Sequence, residues 1–177
     1  FFNDHGVESG KGSLYQGGIK STSFVWSAKG FKKGLKSKVN VSNIDFVPTI
    51  LELCGVDKPA SYHIDGKSFV SVLNGDETPI HDYLYFEIGA TRAILKNDMK
   101  YLSFRVSDEA KNMSLAKRKE INPQNPDAPF THIGDRPGGR GSESPAIGFY
   151  PNYYDKDQVY NVLRDKLERS NLASSSP

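Results

Sequence analysis

The sequence has little of several features that mark common protein classes. Among its 177 residues is a single cysteine, Cys54, so an internal disulfide is impossible and cysteine usage says nothing about the compartment. No segment approaches the roughly 18 apolar residues of a membrane helix. The net charge of +2 is too small to indicate a nucleic-acid partner. We therefore expect neither a membrane span nor nucleic-acid binding.

The length suffices for one domain, or slightly more, with its own hydrophobic core. The pattern of apolar residues along the sequence changes near Thr78-Pro79. Residues 1–77 mix short apolar segments with helical patterns, which is typical of an α/β domain. Residues 78–177 hold alternating segments that predict antiparallel strands. We predict a domain boundary there, with a small α+β subdomain on its C-terminal side.

The clearest local prediction is a helix that begins at Ser42 and stops at Gly55. Ser42 and Asp45 have the spacing of a capping box, and glycine is the usual residue just past a helix end. Cys54, near the helix end, is expected to be a small buried residue. Five apolar or small residues recur at helical spacing and share one face: Ile44, Val47, Ile50, Leu51 and Cys54. A second, shorter helix is predicted over 68–73, and strands over 1–3, 19–26 and 39–41.

The second half of the chain predicts an antiparallel meander. Strands are expected over 83–87, 92–95 and 100–104, with a tight turn at Lys96-Asn97-Asp98. Residues 159–160 predict one more strand. Between them, at about 106–154, lies an insertion rich in Pro, Gly and Asn, for which we expect either disorder or a binding loop.

Chemistry-bearing residues cluster near the start of the sequence. The predicted strand 1–3 leads into Asp4-His5-Gly6, and Lys11-Gly12 follows within a glycine-rich loop. Loops after strands commonly carry sites in α/β sheets. A carboxylate, an imidazole and an ammonium group there indicate a metal and anion site. The alternative is a loop Asp, a structural His and a solvated Lys.

The order of several short motifs resembles the C-terminal part of a sulfatase, in the alkaline-phosphatase-like superfamily. The resemblance covers almost all of the chain except about 106–154. The matching motifs are Asp4-His5-Gly6, Lys11-Gly12, Tyr15-Gln16-Gly17-Gly18-Ile19, Val41 to Thr49 with Leu51-Glu52-Leu53, Asp65-Gly66-Lys67-Ser68, Leu84-Tyr85-Phe86-Glu87, Arg92-Ala93-Ile94, Lys100-Tyr101, Val159-Tyr160-Asn161 and Ser170 to Ala173.

This resemblance implies hydrolysis of sulfate esters, in an α/β/α domain followed by a small subdomain. The family uses a formylglycine formed from a Cys/Ser-x-Pro-x-Arg stretch, which this sequence lacks. We therefore expect the nucleophile and further acidic metal ligands to lie upstream, in an N-terminal portion that acts as a partner. Alone, the chain is expected to be inactive. Most relatives act outside the cytoplasm, which implies a secreted, periplasmic or lysosomal protein.

Three residues match positions of known role in that family. Asp4 and His5 match metal ligands, and the metal implied is a divalent cation, usually Ca²⁺. Because calcium prefers oxygen ligands, the imidazole of His5 leaves the identity of the metal open. Lys11 matches the lysine that holds the sulfate oxygens and stabilises charge in the transition state. Gln16 and Lys20 depart from the usual Glu and Arg, which marks a divergent member.

Other residues are weaker candidates for substrate contact. Glu87 and Arg92 lie on the predicted meander, where a salt bridge across two strands is the preferred interpretation. His132, with Arg136 and Arg140, lies in the insertion and could meet a polyanionic sugar. His63 and His81 are expected to be surface or loop residues.

The substrate class stays open at this point. The resemblance favours a sulfated carbohydrate or an aryl sulfate. A phosphonate or phosphate ester hydrolase of the same superfamily is the neighbouring alternative. A protein that kept the fold as a non-catalytic anion- or glycan-binding module is the alternative from a different class.

Overall fold

The computed structural model describes residues 10, 12–28, 30–89, 91–105, 107–121, 123 and 144–175. Four predicted site residues, Asp4, His5, Lys11 and His132, lie outside these ranges, as does the predicted strand 1–3. Contacts divide the described residues into two units. One is Ser23–Leu84, and the other combines Phe2–Thr22 with Tyr85–Pro177. The proposed domain division into 1–77 and 78–177 stays a prediction.

The helices of the described residues are short. In chain order they are α1 (Gln16–Ile19), a 3₁₀ helix (Asn43–Asp45), α2 (Phe46–Leu53), α3 (Val70–Leu73), α4 (Asp108–Asn112), α5 (Leu115–Ile121), α6 (Ser144–Phe149) and a last 3₁₀ helix (Leu172–Ser175). Within the described ranges, none of them is both long and apolar enough to cross a membrane.

The unit 23–84 is organised around Asp45, which is completely buried. Its carboxylate accepts hydrogen bonds from the Ser42 N–H at 2.6 Å and the Lys67 N–H at 2.8 Å. The imidazole Nε2 of His81 lies 2.8 Å from the same carboxylate. The hydrogen bond from the Ser42 N–H to Asp45 confirms the predicted capping box at this helix start. His81 lies in a loop, as predicted, and its ring is largely buried against Asp45, a partner 36 positions away in the sequence that no local pattern predicts.

Helix α2 confirms the predicted helix, but Cys54, predicted to be a small buried residue at its end, is exposed. Ile44, Val47 and Ile50 are each about half exposed, whereas Thr49 is 2% exposed. Thr49 Oγ1 donates to the Asp45 carbonyl and accepts from the Phe69 N–H. Thr49 therefore packs within this unit, as does the Phe46 ring against Phe69, whereas Ile44, Val47 and Ile50 stay half exposed. Gly55, with φ of +64°, ends the helix as predicted.

The unit containing 85–177 is built on a four-stranded antiparallel sheet. Its strands are β1 (Leu84–Ile88), β2 (Thr91–Lys96), β3 (Met99–Phe104) and β4 (Asp157–Asn161), in the order β1-β2-β3-β4. Ile94 pairs with Tyr101, and Tyr101 with Val159. Asn97, with φ of +52°, lies in the tight turn before β3. The predicted meander and the late strand are confirmed.

One face of this sheet carries the core of the unit. Ala93, Leu102, Phe104 and Tyr160 on the strands are almost completely buried. They share a cluster with residues from the start of the chain and from the segment around α6: Leu14, Tyr15, Ala146, Tyr150 and Tyr153. Alternation along a strand sends every second side chain to the opposite face. The core therefore joins residues 14–15 to the C-terminal sheet.

Other predicted elements are absent from the described ranges. Segment 19–26 is not a strand: Ile19 ends α1, and of the following residues only Ser23 makes an isolated bridge. Residues 39–41 form no strand. Phe24, Val25 and Trp26 are 60%, 41% and 80% exposed, so this apolar run packs against little of the described chain.

The described parts of the insertion, 107–121 and 144–154, are more regular than its composition predicts. Helices α4 and α5 lie at its beginning and α6 near its end. Ser114 Oγ accepts the Lys117 N–H at 3.2 Å, which is the geometry of an N-cap for α5. The Pro- and Gly-rich composition therefore obscured short helices, one of which starts with an ordinary capping serine.

Candidate functional site

The described part of the site region is the loop that follows position 11. Both the N–H and the Oγ of Ser13 bond to the Gly10 carbonyl, at 3.0 and 2.6 Å, which closes a turn from residue 10 to residue 13. Gly12 has φ of +82°, a backbone conformation that glycine adopts without a Cβ penalty. The loop continues through Leu14 and Tyr15 into α1.

A buried ion pair holds the backbone of this loop. Lys100 Nζ and the Glu168 carboxylate contact each other, and neither side chain has any exposed surface. Lys100 Nζ also donates to the Leu14 carbonyl at 2.7 Å. The other Glu168 oxygen accepts the Gln16 N–H at 2.5 Å. We call Lys100, Glu168 and their two backbone partners the loop clamp.

The clamp includes a residue in a restricted backbone conformation. Glu168 has φ of +51°, in the left-handed region that few non-glycine residues occupy. Such a conformation costs on the order of 1–3 kcal/mol and persists when surrounding contacts impose it. Its contacts with Lys100 and the Gln16 N–H are contacts of this kind. The turn 165–168 is thereby fixed against the start of α1.

Aromatic packing holds the same loop from a second side. The Tyr15 ring stacks on Tyr150 with centroids 3.7 Å apart and planes 7° apart. The Tyr15 hydroxyl donates to Gln158 Oε1 at 2.6 Å, and the Tyr160 hydroxyl donates to the same oxygen at 2.8 Å. Gln158 Nε2 in turn donates to the Asp155 carbonyl. Tyr15 thus anchors the loop in the hydrophobic core of this unit.

Burial dominates the acid–base properties of these groups. It raises the pKa of the Tyr15 and Tyr160 hydroxyls well above that of an exposed tyrosine. Burial also lowers the pKa of Lys100 and raises that of Glu168, and the attraction between the two opposes both shifts. This interior therefore disfavours isolated charge and tolerates it as a pair.

The glycines of the loop are required by close approach. A Cβ added at Gly10 or Gly17 would lie 2.6 Å from the Tyr150 hydroxyl. A Cβ at Gly18 would collide with the backbone carbonyls of Ser13 and Gly10. The motif Tyr15-Gln16-Gly17-Gly18 is thus a packing unit in which the tyrosine fills the core and the glycines admit Tyr150.

The described substrate candidates lie elsewhere, on the sheet. Arg92 Nε is 3.1 Å from Glu87 Oε2, with the two side chains 43% and 60% exposed. The predicted ion pair across two strands is confirmed. Contact of either residue with a substrate stays a prediction.

Sequence reasoning missed Lys100, Gln158 and Glu168 as members of the site region. The burial of Lys100 could have been predicted from strand alternation, because Lys100 shares a face with Leu102 and Phe104. A lysine on an apolar strand face needs a buried partner. Nothing local points to Glu168, which is 152 residues from Gln16.

The predicted metal ligands cannot be placed in this geometry, because Asp4 and His5 are outside the described ranges. In the part of the chain that the structure does describe, no three His, Cys, Asp or Glu side chains form a group that could hold a metal. Metal binding by Asp4 and His5 therefore stays a prediction.

Comparison with known proteins matches this chain to one family and to several sulfatases. The family model for the N-sulphoglucosamine sulphohydrolase C-terminal region matches residues 5–113. An ulvan-active sulfatase of Formosa agariphila is 25% identical over 97% of this chain and 32% of its own length. Human steryl-sulfatase is 22% identical over 96% of this chain and 27% of its own length.

Solved structures share the fold at lower identity. A protein in complex with its substrate D-glucosamine-2-N,6-O-disulfate has a TM-score of 0.54 and 20% identity, covering 90% of this chain and 25% of its own. A structure described as a putative sulfatase from Bacteroides thetaiotaomicron has a TM-score of 0.52 and 18% identity, covering 91% and 26%. The chain thus spans about a third or less of these proteins. The predicted fold class is confirmed.

Proposed function

Because the chain belongs to the N-sulphoglucosamine sulphohydrolase C-terminal family, we propose that it forms the C-terminal part of a sulfatase acting on a sulfated carbohydrate. The observation that carries this proposal is the family match over residues 5–113, which includes His5 and Lys11. Curated relatives that align with nearly the whole chain are themselves sulfatases. Sulfuric ester hydrolysis is the activity proposed for the whole protein.

In this proposal the start of the chain supplies one edge of the active site. Asp4 and His5 bind a divalent cation, with calcium the first candidate, and that cation neutralises sulfate charge when bound. Lys11 holds sulfate oxygens and stabilises the charge that builds on the bridging oxygen as the S–O bond breaks. The formylglycine nucleophile is proposed to come from a segment outside the present sequence.

The loop clamp supports a positioning role for the C-terminal part. Leu14 and Gln16, three and five positions after Lys11, are fixed by Lys100 and Glu168. A charge-stabilising group is effective when its position is set before the reaction. We propose that the small subdomain sets the position of the sulfate-binding loop in this way.

The proposed partner is the remaining portion of a sulfatase-length protein. The chain spans 32% or less of the relatives' length, and its α2 carries an exposed apolar face formed by Ile44, Val47 and Ile50. Apolar side chains that recur on one helix face are usually buried against another element. We propose that the N-terminal portion covers this face. An exported location is proposed on family grounds alone.

The substrate proposed is a sulfated sugar. One relative is named for activity on ulvan, and one structural neighbour contains a glucosamine disulfate as its substrate. Arg92, Glu87 and His132 are the candidates for sugar contact. A small aryl sulfate is proposed as a second, less demanding substrate.

The test compares the 177-residue chain with the complete product of the reading frame that encodes it. Both are assayed on a chromogenic aryl sulfate and on sulfated polysaccharides, with released sulfate as the readout. We expect turnover by the complete product and none by the chain alone.

Two results would overturn the proposal. Turnover by the isolated chain would mean that no external nucleophile is needed. A complete product that cleaves an aryl phosphate or phosphonate but no sulfate ester would instead favour the phosphate-ester alternative. The same assay therefore separates the two hydrolase classes.

A further inference from the structure

The four-stranded sheet has an outer face that the core of its unit does not cover. Large side chains on this face are 39–53% exposed: Tyr85, Ile94, Met99 and Tyr101. Neighbouring positions of the same strands, such as Ala93 and Leu102, are 1% exposed on the other face. The sheet is therefore two-sided, with a packed inner face and an open outer one.

Two matched groups of three side chains stand on this outer face. On β1 and β2, the Tyr85 hydroxyl donates to Glu87 Oε2 at 2.9 Å, and Arg92 Nε lies 3.1 Å from the same oxygen. At β3 and β4, the Tyr101 hydroxyl donates to Asp157 Oδ1. Nη2 of Arg105, the residue that follows β3, lies 2.6 Å from that oxygen. Each tyrosine thus points its hydroxyl at a carboxylate that an arginine also contacts.

These contacts hold two aromatic rings at a defined separation. Tyr85 lies on β1 and Tyr101 on β3, so they are two strands apart, or about 10 Å across the sheet. Ile94 on β2 pairs with Tyr101 and lies between the two strands. The result is an apolar row across three strands, with a hydrogen-bonding group at each end.

The chemistry of the row matches one kind of ligand. A sugar ring has apolar C–H faces and a rim of hydroxyls, so it can lie on a flat aromatic side chain while its rim meets carboxylates and guanidinium groups. Exposed ion pairs of this type contribute little to folding stability. The paired carboxylates do hold the tyrosine hydroxyls in place before a ligand binds. This lowers the conformational entropy lost on binding.

The charges of the face indicate which sugars it takes. The face carries more positive than negative side chains. The cations are Arg92, Lys96 and Arg105, and the carboxylates are Glu87 and Asp157. We infer that the outer face of the sheet is a binding surface for an extended sulfated polysaccharide, in addition to any catalytic site. The choice of a sulfated ligand rests on the proposed function; the existence of the surface rests on the two groups of three side chains.

The test measures binding by the chain itself and needs no catalysis. Ulvan, chemically desulfated ulvan and polyglutamate are titrated into the 177-residue chain by calorimetry. We expect ulvan to bind, desulfated ulvan to bind more weakly, and polyglutamate to bind least. The double substitution Tyr85→Ala and Tyr101→Ala should weaken ulvan binding by roughly tenfold or more, since aromatic anchors dominate such surfaces.

A matched control uses Tyr62, which is 56% exposed but lies in the unit 23–84. Tyr62→Ala should leave ulvan affinity unchanged, and circular dichroism should show all variants folded. Equal binding by the wild type and the double variant would overturn the inference, as would polyglutamate binding as tightly as ulvan. Sedimentation showing a dimer that the double variant abolishes would also overturn it, because the face would then join two copies.

The outcomes remain separable from those of the proposed function. Ulvan binding with no turnover by the complete product would preserve the surface and remove the activity. Turnover without any loss of binding in the double variant would preserve the activity and remove the surface.

Discussion

Lys100 and Glu168 form an ion pair from which solvent is entirely excluded. Removing two charges from water is expensive, and a buried pair often contributes little net stability compared with apolar residues of similar size. Its value here is geometric, because each member also binds the backbone of the 13–16 loop. The pair ties that loop to β3 and to the C-terminal turn in one arrangement.

Breaking this pair on one side should be strongly destabilising. Lys100→Met leaves the Glu168 carboxylate buried without its cation, and we expect a loss of about 3–5 kcal/mol in the free energy of unfolding. The double variant Lys100→Met with Glu168→Gln removes both charges and keeps an oxygen for the Gln16 N–H. It should recover part of the loss. Urea denaturation of the chain measures all three proteins.

The control is Lys117→Met, which breaks an exposed pair with Glu120. Exposed pairs of this kind contribute little, so its midpoint should stay close to that of the wild type. A Lys100→Met variant as stable as Lys117→Met would contradict the structural role of the clamp.

The buried tyrosines make the chain sensitive to high pH. Burial raises the pKa of Tyr15 and Tyr160 above the ordinary 10.0, so the folded state keeps two protons that the unfolded state releases. Stability contributed in this way is present below pH 10 and is lost as pH rises above it. We expect each tyrosine to lower the free energy of unfolding by about 1.4 kcal/mol per pH unit there.

Denaturation midpoints between pH 9 and pH 11 test this, with Tyr160→Phe as the comparison. The variant removes one titrating hydroxyl, so its stability should fall less steeply with pH than that of the wild type. Other titrating groups act equally in both proteins and cancel. Parallel slopes would show that Tyr160 ionises freely in the folded state.

The local elements of this fold were readable from short stretches of sequence. The capping box at Ser42 and Asp45 and the stop at Gly55 bound a helix that forms as predicted. The β2–β3 hairpin followed from alternation and from a turn at Asn97. Such signals work because hydrogen bonds between near neighbours decide these structures.

The loop clamp could not be predicted, because its members are far apart in the sequence. Lys100 lies 86 residues from Leu14, and Glu168 lies 152 residues from Gln16. A lysine in an alternating strand is ordinarily assigned to the solvent face. Alternation with Leu102 and Phe104 marks Lys100 as an exception, but it does not identify Glu168 or the Leu14 carbonyl as the partners of its ammonium group.

Helix α2 shows that helical periodicity does not by itself predict burial. The periodicity of Ile44, Val47 and Ile50 correctly placed them on one face but not in a core. Helical periodicity predicts which side chains share a face of the helix. Burial of that face requires another element to pack against it. In the described chain the covered side belongs instead to Asp45 and Thr49.

Gly17 should be intolerant of a methyl group for a reason that a second change can remove. A Cβ there would meet the Tyr150 hydroxyl at 2.6 Å, so Gly17→Ala should cost about 1–3 kcal/mol through overpacking. Adding Tyr150→Phe removes the oxygen that is in the way and should restore part of the lost stability. Thermal denaturation of the single and double variants measures the recovery.

Gly18→Ala provides the contrast, because its Cβ would meet the backbone carbonyls of Ser13 and Gly10. Tyr150→Phe should not rescue that variant. Equal rescue at both positions would show that Tyr150 is not the obstacle at Gly17.

The apolar face of α2 should matter to assembly more than to the folding of the chain. Val47→Lys with Ile50→Lys places charges at side chains that are 48% and 56% exposed, so the melting temperature of the chain should change little. Its binding of a hydrophobic dye should fall. In the complete product, the same changes should sharply lower the yield of active enzyme if the N-terminal portion covers this face.

Leu163→Lys is the matched control, because Leu163 is 63% exposed outside this helix. It should leave the yield of active product unchanged. A normal yield from the α2 double variant would show that this face meets solvent in the complete protein.

Lys11 is the residue whose replacement should most directly affect catalysis in the complete product. Loss of one charge-stabilising donor typically lowers turnover by about 10²–10³, and we expect Lys11→Ala to reduce kcat on that scale. Lys11→Arg keeps the charge and should retain more activity. Lys20 is exposed and nine positions later in the same region, so Lys20→Ala should be near normal. A Lys11→Ala enzyme with the rate of Lys20→Ala would make Lys11 a loop residue, and sulfate binding would have to be assigned to another cation.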